Sequence, residues 1–376
     1  MTSELSSLCS YAKGKVSVDT LSKRNYVSTE NMVPNKGGIV DAGALPSAQY
    51  TQQYMKDDIL VSNIRPYFKK IWMADDDGGC SNDVLVFRAE CGCDSTFLYY
   101  VLANDAFFNY ASATSKGTKM PRGDKTAIMQ YEVPCFNHET QLRIGKLLRS
   151  IDDRITVNKK INDNLQQQAF SVFDNLIANA ENNDCTVSDY AFLNPKRTLA
   201  KNQVSRSIDM SQLSTSGAFP SGWEMKPFNG GMRFTNGDTL LARITPCLEN
   251  GKTAFIDFLD DGEVAFGSTE YIVLAPKNDT PPEMLYCLAR YPAFVDYAVK
   301  NMNGSSGRQR VSAETVGQYR LPLFDKHSLV LFKEVVSPMF LKMRYNSLEN
   351  MRLAELRDAL LPKLMSSEIN VSAVQL

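Results

Sequence analysis

The chain carries one sequence pattern twice, and this repeat constrains its fold more than any other feature. QYEVP at 130–134 recurs as QYRLP at 318–322, a shift of 188 positions. Upstream, DILVSNIRP at 58–66 recurs as DTLLARITP at 238–246, a shift of 180 positions. Repeats in solenoid proteins are only tens of residues long, so this repeat indicates two copies of a whole domain followed by a helix. Such a chain is suited to holding two similar surfaces at a fixed separation.

Two domains and two long helices account for this pattern. A chain of 376 residues with 43% hydrophobic residues is long and apolar enough for two packed cores. We predict an α+β fold in which two repeated mixed α/β domains are separated by two long helices, with internal pseudo-two-fold symmetry. The predicted parts are a first domain at 1–136, a first helix at 137–182, a second domain at 183–324, and a second helix with a C-terminal tail at 325–376.

Short β-branched and aromatic runs predict the strands of each domain, and a helical period follows them. The predicted elements are strands at 58–64 and 84–87 with a helix at 95–110 in the first domain, and strands at 239–244, 253–258 and 270–274 with a helix at 282–299 in the second.

Both long helices carry the same heptad seam, in which apolar residues alternate at spacings of four and three. The first seam is Ile144, Leu148, Ile151, Ile155, Asn158, Asn162, Leu165, Ala169, Val172 and Leu176. The second, shifted by 188 positions, is Phe332, Val336, Met339, Met343, Asn346, Asn350, Leu353, Arg357, Leu360 and Leu364. Arg357 is its weakest position, and Pro338 and Pro362 are expected to cap or kink the second helix.

Two asparagines recur in the middle of each seam. A buried asparagine in a coiled coil lowers stability but fixes the register of the helices. Antiparallel pairing within the chain places Asn158 opposite Asn350 and Asn162 opposite Asn346, and the duplication favours this pairing. The alternatives are parallel pairing with a second copy of the chain, or two helices that pack only on their own domains. A helix of about 35 residues makes a spacer of roughly 50 Å.

Basic residues concentrate at one equivalent place in each copy. The segments 112–125 and 300–310 each carry a net charge of about +3 and are rich in small polar residues. Arginine, glutamine and asparagine can read base edges, and the two segments differ although their flanks agree, which indicates two different targets. A solvated loop is the alternative. The predicted DNA contacts are Lys116, Lys119, Arg122 and Lys125 in the first segment, and Ser305, Ser306, Arg308, Gln309 and Arg310 in the second.

A second candidate surface lies at the end of the repeated strand. In the first copy it contains Arg65, Lys69 and Lys70, and in the second copy Arg243 and Lys252. A charged sheet edge explains these residues equally well.

Several classes of function are disfavoured by composition. The net charge of −1 excludes a uniformly basic surface but not a local basic face. The eight cysteines lack disulfide spacing and the N-terminus lacks a signal segment, so we expect reduced thiols and a cytoplasmic protein. The sequence contains no apolar run of about 18 residues, so we expect no membrane span. The spacing of Cys91 and Cys93, with two histidines that follow the QYxxP motifs, predicts no metal site.

Catalytic motifs are also missing from the sequence. There is no G-x-x-x-x-G-K-S/T phosphate loop and no N/D-P-P-Y/F methyltransferase turn. Asp209, Glu224 and Lys226 have the look of a nuclease triplet, but such triplets arise by chance. We therefore predict no catalytic residues and no cofactor on this chain. The rival hypotheses are a coiled-coil adaptor with no DNA role and a self-sufficient nuclease that uses this triplet.

Several motifs resemble the specificity (S) subunit of Type I restriction–modification systems. The most specific is LRDALLPKLMSSEI at 356–369, and Asn158, Ile161 and Leu165 are similar to the first helix of that family. The first domain departs from the family pattern, because MPRGDK at 120–125 stands where the family often has a glycine–arginine loop like that at 307–310. The other similar segments are YVSTENM at 26–32, DILVSNIRP, GDTLLARITP at 237–246, and RQRVS at 308–312.

The resemblance implies two target-recognition domains, each of which reads one half of a bipartite sequence in double-stranded DNA. The helices would set the spacing and dock two methyltransferase (M) subunits, and the resemblance also allows two restriction (R) subunits. S-adenosylmethionine, ATP and magnesium would be bound by those partners. Half-sites read from one face of B-DNA should lie about 34 Å apart. A specificity protein of a related methyltransferase or nuclease system is a further alternative.

Overall fold

The computed structural model describes residues 2–180, 185–305 and 307–371, and the chain divides into two compact units. The first unit is Met1–Asp153 with Ala354–Leu376, and the second is Arg154–Leu353. Each long helix therefore contributes one part to each unit. The predicted boundaries at 1, 182, 183 and 376 fall on positions outside the described residues, and the domain limits stay a prediction.

The first unit consists of three sheets of short strands and several helices. Its sheets have the orders β2-β9-β6-β7, β3-β5-β8-β4 and β1-β10. The strands are β1 (Thr2–Glu4), β2 (Cys9–Tyr11), β3 (Lys15–Ser17), β4 (Tyr26–Val27), β5 (Tyr50–Tyr54), β6 (Ile59–Ser62), β7 (Ile71–Met73), β8 (Gly78–Cys80), β9 (Val84–Ala89) and β10 (Glu132–Pro134). The helices are α1 (Ser95–Ala103), α2 (Asp105–Ala113), α3 (Lys125–Met129) and the start of α4 (His138–Ala178), with 3-10 turns at Leu5–Ser7, Val18–Thr20 and Pro66–Phe68.

The second unit has the same kinds of element in a similar order. Its sheets have the orders β12-β19-β16-β17, β14-β13-β18-β15 and β11-β20. The strands are β11 (Cys185–Thr186), β12 (Ala191–Leu193), β13 (Val204–Ile208), β14 (Glu224–Pro227), β15 (Met232–Phe234), β16 (Thr239–Ala242), β17 (Thr253–Phe255), β18 (Ala265–Gly267), β19 (Tyr271–Pro276) and β20 (Arg320–Leu321). The helices are α5 (Val187–Tyr190), α6 (Pro282–Arg290), α7 (Pro292–Lys300), α8 (Ala313–Gly317) and most of α9 (Lys326–Met365), with a 3-10 turn at Met210–Gln212.

The paired central strands of each unit are buried on both faces, which explains their continuous apolar sequence. In the first unit, Ile59 and Val61 of β6 lie in the core that contains α1 and α2, whereas Leu60 lies in a second core with Tyr54. In the second unit, Leu241 and Leu240 of β16 divide between two cores in the same way. The predicted mixed α/β domains are confirmed.

Two helices predicted as continuous are each broken by one extended residue. Asn104 separates α1 from α2, and its side chain accepts a hydrogen bond from the Ala106 backbone N–H at 3.0 Å. Tyr291 separates α6 from α7, because the residue before a proline, here Pro292, avoids the helical conformation. The predictions of single helices at 95–110 and 282–299 were wrong at these points.

The two long helices pack together within each unit. In the first unit, Ile144 and Leu148 of α4 share a core with Leu361 and Leu364 of α9. In the second unit, Phe173 of α4 shares a core with residues of α9 that include Phe332, Val336, Phe340 and Met343. Phe173 and Phe340 lie beside the predicted seam rather than on it, since this part of each helix also faces the sheet domain.

The structure corrects the expectation that the prolines of the second helix cap it. Both Pro338 and Pro362 lie inside α9, which continues to Met365. Within the described residues, no helix is both long and apolar enough to cross a membrane.

Candidate DNA interface

In the second unit, the two predicted surfaces meet in one structure, which we call the second junction (residues 243–245, 303–305 and 307–311). The Val311 N–H donates to the Arg243 carbonyl at 3.0 Å, and the Thr245 N–H donates to the Gln309 carbonyl at 3.1 Å. Asn303 and Arg310 exchange two backbone hydrogen bonds of 2.9 Å, which closes the basic segment into a tight loop. The strand end thus anchors the loop.

The first unit builds the equivalent first junction (residues 63–65 and 116–123). The Gly123 N–H donates to the Asn63 carbonyl at 3.1 Å, and the Arg65 N–H donates to the Pro121 carbonyl at 2.8 Å. Lys116 and Arg122 exchange two backbone hydrogen bonds of 2.9 Å. Isolated bridges pair Ile64 with Arg122 here and Ile244 with Arg310 in the second unit. Arg122 and Arg310 are therefore equivalent, although the sequences around them differ.

Each of these two arginines meets a carboxylate at an equivalent position. The Arg310 guanidinium contacts Glu270 at 2.7 Å, and that of Arg122 contacts Asp83 at 3.1 Å. Asp83 directly precedes β9 and Glu270 directly precedes β19. Arg243 also contacts Glu270, at 3.2 Å. Hydrogen bonds from Arg310 and Arg243 hold the pKa of Glu270 below its ordinary value of 4.5, although partial burial opposes them.

The most exposed candidates lie at the tips of the two loops. Arg308 and Lys119 are exposed, and neither side chain has a hydrogen bond or ion pair with any residue that the structure describes. Gln309 is half-buried and Ser305 is exposed. Ser306 lies outside the described residues.

The other basic candidates are engaged by protein groups. Lys69 contacts Asp105 at 2.8 Å, and Lys116 contacts Asp124 at 2.5 Å. The ammonium groups of two half-buried lysines donate to carbonyls, that of Lys70 to Thr29 at 2.6 Å and that of Lys252 to Met210 at 2.7 Å. Burial lowers the pKa of Lys70. These contacts serve the fold, so these lysines are weaker candidates than the loop tips.

Two further candidates are held at their junctions. The Lys125 ammonium lies 5.9 Å from the centre of the Tyr11 ring. Arg65 has a left-handed backbone with φ of 49°, and its Nε is buried without a hydrogen bond to any described group. Arg65 therefore shapes the first junction through its backbone.

Four residues next to the junctions were not predicted from the sequence. Asp83 and Glu270 could have been found, since an acidic residue precedes the same strand in both copies. Tyr67 and Phe68 form an exposed aromatic pair next to Arg65, with ring centres 4.9 Å apart. The corresponding second-copy segment, TPCLENG at 245–251, has no aromatic residue.

The four predicted register asparagines meet in the second unit in the predicted antiparallel pairs. The Asn158 amide donates to Asn350 at 3.0 Å and to Glu349 at 2.7 Å. The Asn346 amide donates to Asn162 at 2.8 Å. The carbonyl oxygens of Asn158 and Asn346 are buried without a hydrogen-bond partner among the described groups. The predicted pairing is confirmed, and the register-setting role stays a prediction.

The predicted weak point of the second seam is compensated in the first unit. The half-buried Arg357 contacts Asp152 at 2.7 Å, and Asp152 also accepts a hydrogen bond from the Tyr100 hydroxyl at 2.6 Å. A charge in the seam thus has a carboxylate partner on the opposite helix.

The structure also brings together the nuclease-like triplet. Lys226 lies 3.0 Å from Asp209 and 2.9 Å from Glu224, and all three side chains are exposed. The two carboxylates raise the pKa of Lys226, as in an ordinary surface ion pair. In the ranges 2–180, 185–305 and 307–371, no group of three or more His, Cys, Asp or Glu residues could hold a metal ion.

Comparison with known proteins shows similarity to one family. Residues 1–167 match the family described as Type I restriction modification DNA specificity domain. The specificity subunit of the Type I restriction enzyme HindI from Haemophilus influenzae is 23% identical over 436 aligned residues, which cover 92% of this chain and 94% of that protein. The chain is therefore similar to Type I specificity subunits over most of its length.

Two further relatives extend this similarity. The Type I specificity subunit MjaIX from Methanocaldococcus jannaschii is 22% identical, over 74% of this chain and 70% of that protein. The crystal structure of the Type I restriction–modification S subunit from M. genitalium matches with a TM-score of 0.59 at 17% identity, over 97% of this chain and 96% of that chain. The chain therefore shares its fold with this S subunit.

Proposed function

We propose that this chain is the specificity subunit of a Type I restriction–modification system and recognises a bipartite DNA sequence, with each unit reading one half. The observation that carries the proposal is the duplicated junction, which presents different loop residues on the same backbone framework. Arg308 and Gln309 are presented by the second junction, and Lys119 by the first. Arginine and glutamine donate to guanine and adenine edges, and lysine binds phosphate or guanine. The exposed pair Tyr67 and Phe68 adds an apolar surface to the first unit only.

In this proposal, the paired helices set the spacing between half-sites and dock two methyltransferase subunits, with room for restriction subunits. Large apolar side chains on α9 within the second unit support a docking role, because each is between 42% and 58% exposed: Val330, Leu331, Val335, Leu341 and Tyr345. The chain itself would be non-catalytic and would act in the cytoplasm. S-adenosylmethionine, ATP and magnesium would belong to the partner subunits.

The test is a genome-wide methylation map of cells that express this chain with the methyltransferase subunit encoded beside it. The control cells lack only this chain. We expect a split motif that appears only when the chain is present. If binding and methylation of the assembled complex are independent of sequence, the proposal is wrong and the coiled-coil adaptor hypothesis is favoured.

The spacing role has its own test. An insertion of four residues between Asn158 and Leu165 shifts the helical register, so it should change the permitted gap between half-sites or abolish assembly. An unchanged gap in a fully assembled complex would contradict the spacer role.

A further inference from the structure

The strongest unexplained feature is the carboxylate that meets the loop arginine in both junctions. A carboxylate next to a DNA-binding loop repels phosphate, so it weakens the sequence-independent attraction on which binding relies. Nevertheless, Asp83 and Glu270 occupy equivalent positions before β9 and β19, and each contacts the arginine bridged to the neighbouring strand end. A group that opposes attraction to DNA in both copies needs another role.

The contacts of Arg310 indicate what that role is. Its Nε donates to both Glu270 oxygens at 3.0 and 2.9 Å, its Nη2 donates to Glu270 at 2.7 Å, and its Nη1 donates to the Arg308 carbonyl at 3.0 Å. A guanidinium has five N–H donors, so one N–H on each Nη remains for a ligand. We call these two remaining N–H groups the outer guanidinium edge. The Arg310 side chain is 40% exposed, so a ligand can reach it. Guanine accepts such a pair of donors at O6 and N7.

We propose that Glu270 and Asp83 are positioning residues for base recognition, each holding the loop arginine of its unit so that the outer guanidinium edge faces a base of the half-site. This inference rests on the proposed DNA-reading function. Fixing a long side chain before binding removes the entropy cost of ordering it in the complex. The carboxylate therefore improves discrimination between sequences while it lowers affinity for DNA in general.

The two junctions differ in how firmly the arginine is held. Arg122 is 58% exposed and contacts Asp83 through one ion pair of 3.1 Å. Glu270 makes several contacts with Arg310 and a further contact with Arg243. Loss of Glu270 should therefore have a larger effect on its half-site than loss of Asp83 has on the other.

The experiment uses the full chain assembled with its methyltransferase subunits, and duplexes that carry base changes in one half-site at a time. The variants are Glu270→Gln and Asp83→Asn, and each serves as the control for the other. We expect Glu270→Gln to lower discrimination at one half-site by roughly twofold to tenfold, as the cost of ordering one side chain predicts. Binding to a duplex without either half-site should be equal or tighter, with a steeper salt dependence.

Two further variants separate positioning from folding. Glu270→Asp keeps the charge and should restore most of the discrimination. Arg310→Lys keeps the positive charge but loses the planar donor pair, so it should lose discrimination while retaining the salt dependence. A drop in affinity for all duplexes, or equal relaxation at both half-sites, would overturn the inference. If the unmodified complex shows no sequence preference at all, the proposed function fails, and that result is distinct from a normal preference that Glu270→Gln leaves unchanged.

Discussion

The two units have cores of the same construction and differ at one sheet edge. Strands β4, β8 and β5 of the first unit have the same order and directions as β13, β18 and β15 of the second. The fourth strand lies on opposite edges, since β3 pairs with β5 whereas β14 pairs with β13. The junctions are anchored on the other sheet, whose strand order is the same in both units. Recognition loops can thus diverge without loss of their support.

A second comparison concerns a buried carboxylate that occupies the same position in both units but pairs with an arginine from a different part of the chain. The equivalent buried carboxylates Asp58 and Asp238 each pair with an arginine, at 2.6 Å in both units. Arg88 comes from β9, whereas Arg197 comes from the segment before β13. Burial raises the pKa of Asp238 to about 6, and the Arg197 guanidinium opposes this shift.

We expect the largest effect from a substitution at Leu148, where α4 and α9 pack through apolar side chains in the first unit. This side chain is fully buried with Leu361 and Leu364. Leu148→Ala should lower the free energy of unfolding by about 2–5 kcal/mol, because it removes buried methyl groups and leaves a cavity. Urea unfolding of the full chain measures this. The matched control is Leu142→Ala, at a 45% exposed position of the same helix, and an equal loss there would contradict the packing.

The second largest effect should be on DNA recognition, where a substitution in one unit should affect only the half-site that this unit reads. Arg308→Ala should lower discrimination at the half-site of the second unit by about 1–3 kcal/mol if Arg308 makes a bidentate base contact. Competition binding of the assembled complex to duplexes altered in either half-site measures this. Lys119→Ala in the first unit is the control, and it should leave that half-site unaffected. An equal loss on unrelated DNA would mean that Arg308 binds phosphate.

The asparagine pairs of the second unit should differ from the apolar packing of the first, because replacing both partners by leucine should restore stability. Asn158→Ala removes partners from Glu349 and Asn350 and should destabilise the chain by about 1–2 kcal/mol. The double variant Asn158→Leu with Asn350→Leu should recover most of that loss while relaxing the register. The coupling is measured by urea unfolding of a double-mutant cycle made of Asn158→Leu, Asn350→Leu and the double variant. Additive losses of stability would argue against the pairing.

The smallest effect is a pH dependence of the Glu270 contacts. Because its pKa is lowered in the folded protein, Glu270 stabilises the fold above its ordinary value of 4.5, and this contribution is lost as pH falls through the lower folded value. The stability difference between the unmodified chain and Glu270→Gln should therefore be constant near neutral pH and shrink below about 4.5. A difference that instead grows in acid would show that the carboxylate is not held ionised.

Much of this architecture could be predicted from the sequence because it depends on local period and duplication. The heptad seam placed Asn158 opposite Asn350 and Asn162 opposite Asn346, and the structure pairs them so. The break at Asn104 was missed because its capping contact competes with an otherwise helical pattern. Helix α9 continues through the exposed Pro338, between Val336 and Phe340, which are buried in the core of the second unit, and helix propensity does not describe that packing.

The candidate site was predictable only in part. The basic loops were visible as charged segments that differ between the copies. The anchoring of these loops to the strand ends, and the engagement of Lys70 and Lys252 by backbone carbonyls, arise from contacts between residues far apart in sequence. The charge pattern alone therefore overestimated the number of cations available to DNA.

In the proposed function, each unit reads its own half of one split target. The most direct measurement is a genome-wide methylation map of the assembled system with two paired variants, Arg308→Ala with Gln309→Ala, and Lys119→Ala with Arg122→Ala. We expect the first pair to relax one half of the motif and the second pair to relax the other, with the gap length unchanged. If both pairs altered the same half, or if each altered both halves, the two units would not read separate halves of the target.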